Sequence, residues 1–92
     1  MKLHMFSVYD KKAAAFLPPF FLPTTAMAQR VFKDCVQDAE HQFGKHPEDY
    51  SLYFCGAFDD VAGCVDVMKE PEVVLTGLSV VALSQGRIPE GE

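Results

Sequence analysis

Aromatic and basic residues are interspersed in the first third of the chain, and this mixture is the pattern best suited to binding a ligand. Aromatic side chains stack on bases and cationic side chains contact phosphates, which is how single-stranded nucleic acid is held without sequence preference. The pattern nominates Lys11, Lys12, Arg30 and Lys33 for phosphates, and Tyr9, Phe16, Phe20 and Phe21 for stacking. The phenylalanines equally suit a protein core or a contact with a second subunit.

The charge of the chain is negative and unevenly distributed. The net charge is −5, whereas proteins that coat phosphates generally are basic. Residues 1–45 carry six basic and four acidic residues (+2), and residues 46–92 carry two basic and nine acidic residues (−7). This distribution is compatible with a basic face in the first half of the chain. It is equally compatible with an adaptor whose acidic half docks onto a basic protein surface. The adaptor would use Glu48, Asp49, Asp59 and Asp60.

A catalytic or metal site needs converging residues, and the sequence offers no such cluster. The histidines are His4, His41 and His46, and the cysteines are Cys35, Cys55 and Cys64. Their spacings match no zinc pattern, and a free cysteine in an apolar stretch packs as a small hydrophobic residue. The six glycines are scattered and form no phosphate loop. The sequence therefore predicts a non-enzymatic protein with no metal ion and no cofactor.

The apolar pattern predicts one α+β domain over residues 1–84 and a flexible tail over 85–92. Alternation predicts strands over 2–9 and 50–58, the second with two apolar faces and therefore central. Thr24 or Thr25 caps a helix over about 26–39. Its apolar stripe comprises Ala28, Val31, Phe32, Cys35, Val36 and Ala39.

The connections between these elements complete the predicted fold. Residues 13–23 hold three prolines and are expected to form an irregular extended crossing. Residues 42–49 are predicted as a loop and 59–63 as a hairpin turn, with a return strand over 64–68 that points Val65 and Val67 into the core. A further strand over 73–83 is interrupted near Gly77. The result is a small antiparallel or mixed sheet of about four strands with one main helix packed on one face.

The cysteine usage and the opening residues suggest a compartment. An odd number of cysteines without a C-x-x-C pair fits a reducing environment. No charged-then-apolar signal segment opens the chain, and the apolar run 13–22 is too short and too rich in proline to span a bilayer. We expect a cytoplasmic protein.

Two blocks of the sequence resemble a known family. The first is Phe6-Ser7-Val8-Tyr9-Asp10 with Lys12, Ala14 and the stretch from Phe16 to Phe20, continued on the helix by Ala28, Arg30, Phe32 and Val36. The second is His46-Pro47-Glu48-Asp49-Tyr50, continued by Leu52, Tyr53, Gly56, Phe58, Asp59, Asp60 and Gly63. Over residues 3–65 the chain resembles the short nonstructural proteins of gokushoviruses, which are small tailless phages with circular single-stranded DNA genomes.

The resemblance implies a non-enzymatic early protein that controls the switch from double-stranded replication to single-strand synthesis and packaging. It brings no catalytic residues. With the basic and aromatic residues above, it predicts a homodimer in the cytoplasm of the host bacterium that binds single-stranded phage DNA or the replication–packaging complex. The adaptor alternative would dock the acidic half onto a viral replication initiator or procapsid protein without touching DNA.

Overall fold

The computed structural model describes residues 2–84, which form one antiparallel sheet with three α-helices and one 3₁₀ helix. The strands are β1 (Lys2–Asp10), β2 (Ala15–Phe16), β3 (Phe20–Leu22), β4 (Tyr50–Asp59) and β5 (Cys64–Thr76). The helices are α1 (Thr25–Gln37), α2 (Gln42–Lys45) and α3 (Gly77–Ser84), and the 3₁₀ helix is Pro47–Asp49. The predicted α+β class is confirmed, and the sheet is antiparallel.

β1 and β4 form the centre of the sheet, because each is paired along both edges. The strand order is β2-β1-β4-β5, and β3 pairs with β1 on the same edge as β2. Val8 lies opposite Leu52 in the register of β1 and β4, and both side chains are buried. The central position predicted for β4 from its two apolar faces is confirmed.

The core of the described residues lies on one face of the sheet, beneath the helices. Its buried hydrophobic residues are Phe6, Val8, Ala28, Phe32, Val36, Phe43, Tyr50, Leu52 and Val80. Phe6, Phe32, Leu52 and Val80 are the largest side chains that are fully buried. Burying each of them stabilises the fold by roughly 1.5–3 kcal/mol.

Helix α1 supplies the longest stripe of this core. The Thr24 side chain accepts a hydrogen bond of 3.2 Å from the Met27 amide, which confirms one of the two predicted N-caps. The buried positions are Ala28, Phe32 and Val36, four residues apart as helical packing requires. The predicted stripe was too wide: Val31 is 46% exposed, Cys35 is half-buried, and Ala39 follows the end of the helix.

The proline-rich segment is more regular than predicted. Residues 13–23 were expected to be irregular, but they contain β2 and β3, which both pair with β1. Pro18 and Pro19 lie between the two strands, where the sheet needs no amide donor. The Leu17 amide in the same gap donates to the Val8 carbonyl at 2.8 Å. The segment is therefore an edge of the sheet with a short interruption.

The predicted loop over 42–49 is instead helical, and it packs into the core. It contains α2 and the 3₁₀ helix, and the ring of Phe43 lies 4.4 Å from that of Tyr50. Gly77 of α3 is buried against this segment, and a Cβ at that position would clash with the Pro47 carbonyl. Tertiary packing thus orders a polar stretch whose sequence signals indicate only turns.

The second half of the chain differs most from its prediction. Residues 73–83 were expected to be strand, but β5 ends at Thr76 and α3 begins at Gly77. The Thr76 hydroxyl accepts from the Ser79 amide at 3.1 Å, which caps the new helix. The prediction that Val65 and Val67 point into the core is also wrong, since they are 44% and 70% exposed.

Irregularities in strand pairing explain that error. The register of β4 and β5 passes from Phe54 opposite Glu72 to Gly56 opposite Val67, so that residues 68–71 of β5 face a single residue of β4. Such bulges set which side chains face each side and cannot be found from local alternation. Pro71 lies inside the irregular stretch, where no ladder donor is lost.

Two expectations concern the end of the chain and its relation to membranes. Residues 85–92, predicted as a flexible tail, lie outside the described residues. Among residues 2–84, no helix has the length and apolarity that crossing a bilayer requires.

Candidate nucleic-acid interface

The face of the sheet opposite the helices, called the outer face below, is built mainly from apolar side chains. Strand pairing places paired residues on the same face, and Phe6 and Val8 mark the face that the helices cover. The large residues on the outer face are Leu3, Met5, Tyr9, Phe16, Phe21, Tyr53, Phe58, Val65, Val67 and Val73. No charged residue occupies a paired outer-face position within residues 2–84.

Three aromatic rings meet at one end of the outer face, and we call them the aromatic cluster. The ring of Tyr9 lies 4.9 Å from that of Phe16, edge to face, because the two residues are directly paired between β1 and β2. Tyr53 of β4 completes the set, 5.3 Å from Phe16 and 6.3 Å from Tyr9. Phe16 is 45% exposed and both tyrosines are half-buried, so each ring retains accessible surface.

Two lysines lie in the turn directly beyond the aromatic cluster. Lys11 and Lys12 are exposed in the turn over residues 11–14. The turn is fixed by the Asp10 carboxylate, which accepts from the amides of Lys12 at 3.0 Å and Ala13 at 3.3 Å. The Lys11 amide donates to the Asp49 carbonyl at 2.8 Å. These bonds hold the backbone and leave both ammonium groups in solvent.

The structure separates the two remaining aromatic candidates. Phe20 points to the helix face, where its ring stacks at 5.9 Å on the buried Phe6, so the expectation that it stacks on a base does not fit its position. Phe21 is on the outer face and 39% exposed. It lies at the far end from the aromatic cluster, with its ring 6.1 Å from that of Phe58.

Arg30 and Lys33 lie on a different element from Lys11 and Lys12. Both are exposed on α1, which packs on the face that carries Phe6 and Val8. Arg30 lines a shallow groove of about 280 Å³ with Leu22, Ala26, Met27 and Val31. The four predicted phosphate contacts therefore form two pairs on two elements, the turn after β1 and helix α1, and of these the Lys11–Lys12 pair adjoins the aromatic cluster.

Tyr53 belongs to this site and was missed by sequence reasoning. It is far from Tyr9 in the sequence and reaches it only because β4 pairs with β1 and places Tyr53 opposite Ser7. The only local signal is its position between Leu52 and Phe54 in an alternating strand. Knowledge of the β1–β4 register would have been needed to find it.

One comparison identifies the family. The model of the family described as "Phage ORF5 protein" matches residues 3–80, which is most of the 92 residues. The chain belongs to the Phage ORF5 protein family. The match contains the whole aromatic cluster and both adjoining lysines. No curated protein matches the chain, and no solved structure matches it.

In this phage protein, the acidic residues of the adaptor alternative do not form one patch. Glu48 and Asp49 precede β4 and Asp59 ends it, which separates Asp49 from Asp59 by roughly 30 Å along an extended strand. The Asp59 carboxylate accepts from the amides of Val61 at 2.9 Å and Ala62 at 3.3 Å. These hydrogen bonds lower the pKa of Asp59 and agree with its interpretation as a turn residue.

The metal-binding candidates are dispersed in the same way, with one local exception. His4 contacts the rings of Phe6 and Phe54, while His41 caps α2 by accepting from the Phe43 amide. His46, Glu48 and Asp49 bring three ligand atoms within 4.8 Å of one another. A structural zinc site holds the ion with four protein ligands and leaves no coordination position open. This group offers three ligand residues, and two of them are exposed.

The thiols have the environment of packed residues. Burial raises the pKa of Cys55, and burial followed by the charges of Asp34 and Asp38 raises the pKa of Cys35. A raised pKa lowers the fraction of thiolate, which is the nucleophilic form. This environment agrees with the packing role predicted for these cysteines.

Proposed function

We propose that this phage protein is a non-enzymatic binder of single-stranded DNA, and that the aromatic cluster with Lys11 and Lys12 is its binding surface. The observation that carries the proposal is the contact of three rings on an open sheet face beside two solvent-exposed lysines. Bases stack on such rings with about 1–3 kcal/mol each, and every base offers a face to stack. A double helix keeps its bases stacked inside, so the surface favours single strands.

The charges of the site predict a binder that depends more on stacking than on phosphate contacts. The chain is acidic overall, at −5, and within residues 2–84 the basic residues argued to adjoin the rings are Lys11 and Lys12. For single strands, the logarithm of affinity falls with the logarithm of salt by about 0.7 per phosphate neutralised. Two phosphate contacts would therefore give a slope of about −1.4.

The biological role that fits this surface is control of the genome switch in a gokushovirus. The resemblance of residues 3–65 to gokushovirus nonstructural proteins supports it, and so does membership of a phage family. In this proposal a homodimer binds single-stranded phage DNA, or the replication–packaging complex, in the cytoplasm of the host bacterium. Binding would favour single-strand synthesis and packaging over further double-stranded replication.

The adaptor remains the second candidate because residues 46–92 carry a charge of −7. In that case the acidic half docks onto a basic surface of a viral replication initiator or procapsid protein. The separation of Asp49 from Asp59 along β4 favours a partner that contacts only one end of the strand. DNA would not be bound directly.

A fluorescence-anisotropy titration with labelled single- and double-stranded oligonucleotides at two salt concentrations tests the proposal. We expect saturable binding with a preference for the single strand and a shallow salt slope. Equal affinity for both oligonucleotides would overturn the single-strand preference on which the proposal depends. No binding at the lower salt concentration would overturn DNA binding altogether and leave the adaptor as the better account.

A further inference from the structure

We propose that the end of the outer face away from the aromatic cluster is a dimer interface, covered by the same surface of a second copy of the chain. This surface, called the dimer patch below, comprises Leu3, Met5, Phe21, Phe58, Val65 and Val67. The inference does not depend on DNA binding, since it rests on other residues.

The dimer patch departs from the usual composition of an open sheet face. An antiparallel sheet with one covered face commonly carries polar residues on the other. Here Val67 is 70% exposed, Val65 44% and Phe21 39%, and no charge lies among the paired positions. Leu3, Phe21, Phe58 and Val65 line an apolar groove of about 340 Å³. The largest apolar patch on a monomer is often functional.

The chemistry of the patch favours a second copy over a charged partner. The six side chains offer no cation to DNA phosphates and no carboxylate to a basic protein surface, whereas they complement another apolar surface. Asp66 and Glu72 of β5 pair with Ala57 and Phe54 and therefore face the helix side of the sheet. Two copies can thus meet through the patch without opposing these acids, although each chain has a net charge of −5.

The size of the patch fits the centre of a small dimer interface. The exposed fractions of its residues correspond to an apolar surface on the order of a few hundred Å², comparable with the largest patches on monomers. A specific interface covers about 800 Å² per partner, with an apolar centre and a polar rim. A domain this small also buries only a modest part of its surface by itself, so packing a second copy on the dimer patch adds stability.

The edge of the sheet offers a less suitable route to the same dimer. β5 is a 13-residue edge strand, and such strands can pair with another copy. Its middle holds Lys69, Glu70 and Pro71 in the stretch that faces a single residue of β4. Charges, proline and bulges on an edge prevent strand addition. Association through the outer face therefore suits this chain better than pairing along β5.

The geometry of such a dimer leaves the aromatic cluster accessible. Leu3 and Tyr9 are six residues apart on β1, or about 20 Å. A two-fold axis that is perpendicular to the strands and lies between the sheets stacks patch on patch in an isologous interface. The two aromatic clusters then lie at opposite ends of the dimer.

Sedimentation-velocity ultracentrifugation of the full chain without DNA, over a concentration series, tests this inference. We expect a reversible dimer for the wild type and a dissociation constant raised about tenfold or more by Val67→Glu. Val73→Glu is the matched control, with the same charge change on the same strand and face, and Val61→Glu in the hairpin turn is a second one. Both controls should stay dimeric.

Three outcomes would overturn the inference. They are a monomeric wild type throughout the series, a dimer that Val67→Glu does not weaken, or equal weakening by Val73→Glu. Val67 is exposed, so the variant should fold, and far-UV circular dichroism with thermal melting checks this. Because DNA is absent, failure of the DNA-binding proposal would leave these results unchanged.

Discussion

The Ser7 hydroxyl donates a hydrogen bond of 2.6 Å to the Leu17 carbonyl, and this bond fastens the proline-rich segment to the central strand β1. Ser7 is 3% exposed, and the neighbouring Leu17 amide donates back to the Val8 carbonyl at 2.8 Å. The two bonds lie between β2 and β3. They therefore hold Phe16, which precedes the interruption, and Phe21, which follows it, on the outer face.

Removal of the Ser7 hydroxyl should destabilise the protein. Ser7→Ala leaves the Leu17 carbonyl without its donor in a partly buried place, which costs about 1–3 kcal/mol. The free energy of unfolding measured in urea should fall by that amount. Ser51→Ala, a half-buried serine on the same face, is the control and should cost less. Equal losses in the two variants would show that the bond between Ser7 and Leu17 contributes nothing specific.

Asp59 should make stability depend on pH in the acid range. Hydrogen bonds from the amides of Val61 and Ala62 lower the pKa of Asp59, so the folded state favours the carboxylate. A lowered pKa in the folded state stabilises the protein above the unfolded value of about 3.9, and this stabilisation is lost as pH falls through the folded pKa. Asp59→Asn should therefore lower the melting temperature at neutral pH and flatten its decline in acid.

The control for the Asp59 variant is Asp66→Asn, which makes the same change in charge on β5. Thermal melting followed by circular dichroism from neutral pH into the acid range gives both curves. If the melting temperature of Asp59→Asn falls in acid as steeply as that of the wild type, the turn hydrogen bonds do not make stability depend on pH as described.

Tyr53 should contribute to DNA binding through its ring. Tyr53→Ala removes one side of the aromatic cluster, and the loss of one stacking platform should weaken single-strand affinity by about 1–3 kcal/mol. Tyr53→Phe keeps the ring and should retain most of the affinity. An equal loss in both variants would assign the effect to the hydroxyl and contradict the stacking role.

Much of the fold follows from local sequence pattern. The alternation in β1 and β4, the cap at Thr24 and the glycine-containing turn before β5 each fix an element through nearby residues. Residues 77–84 could not be assigned in this way, because the run of valine, alanine and leucine suits a strand as well as a helix. The packing of Val80 in the core and of Gly77 against Pro47 favours the helix over a strand.

The candidate site was only partly predictable, for a related reason. Tyr9, Lys11, Lys12 and Phe16 lie close in sequence and can be nominated together. Arg30 and Lys33 are separated from them because they lie on α1. Phe20 is separated from them because it points to the helix face of the sheet. The bulges between β1 and β4 and between β4 and β5 change that assignment over short distances. Only the pairing register reveals it.

The most direct test of the DNA-binding surface compares two double variants that change charge equally on two different elements. Lys11→Glu with Lys12→Glu alters the turn beside the aromatic cluster, and Arg30→Glu with Lys33→Glu alters α1. The measurement is single-strand affinity by fluorescence anisotropy over a salt series. We predict that the lysine variant loses affinity and its salt slope, while the α1 variant keeps a slope close to that of the wild type. Equal effects of the two variants, or an unchanged slope in the lysine variant, would contradict the assignment of DNA to the aromatic cluster and its adjoining lysines.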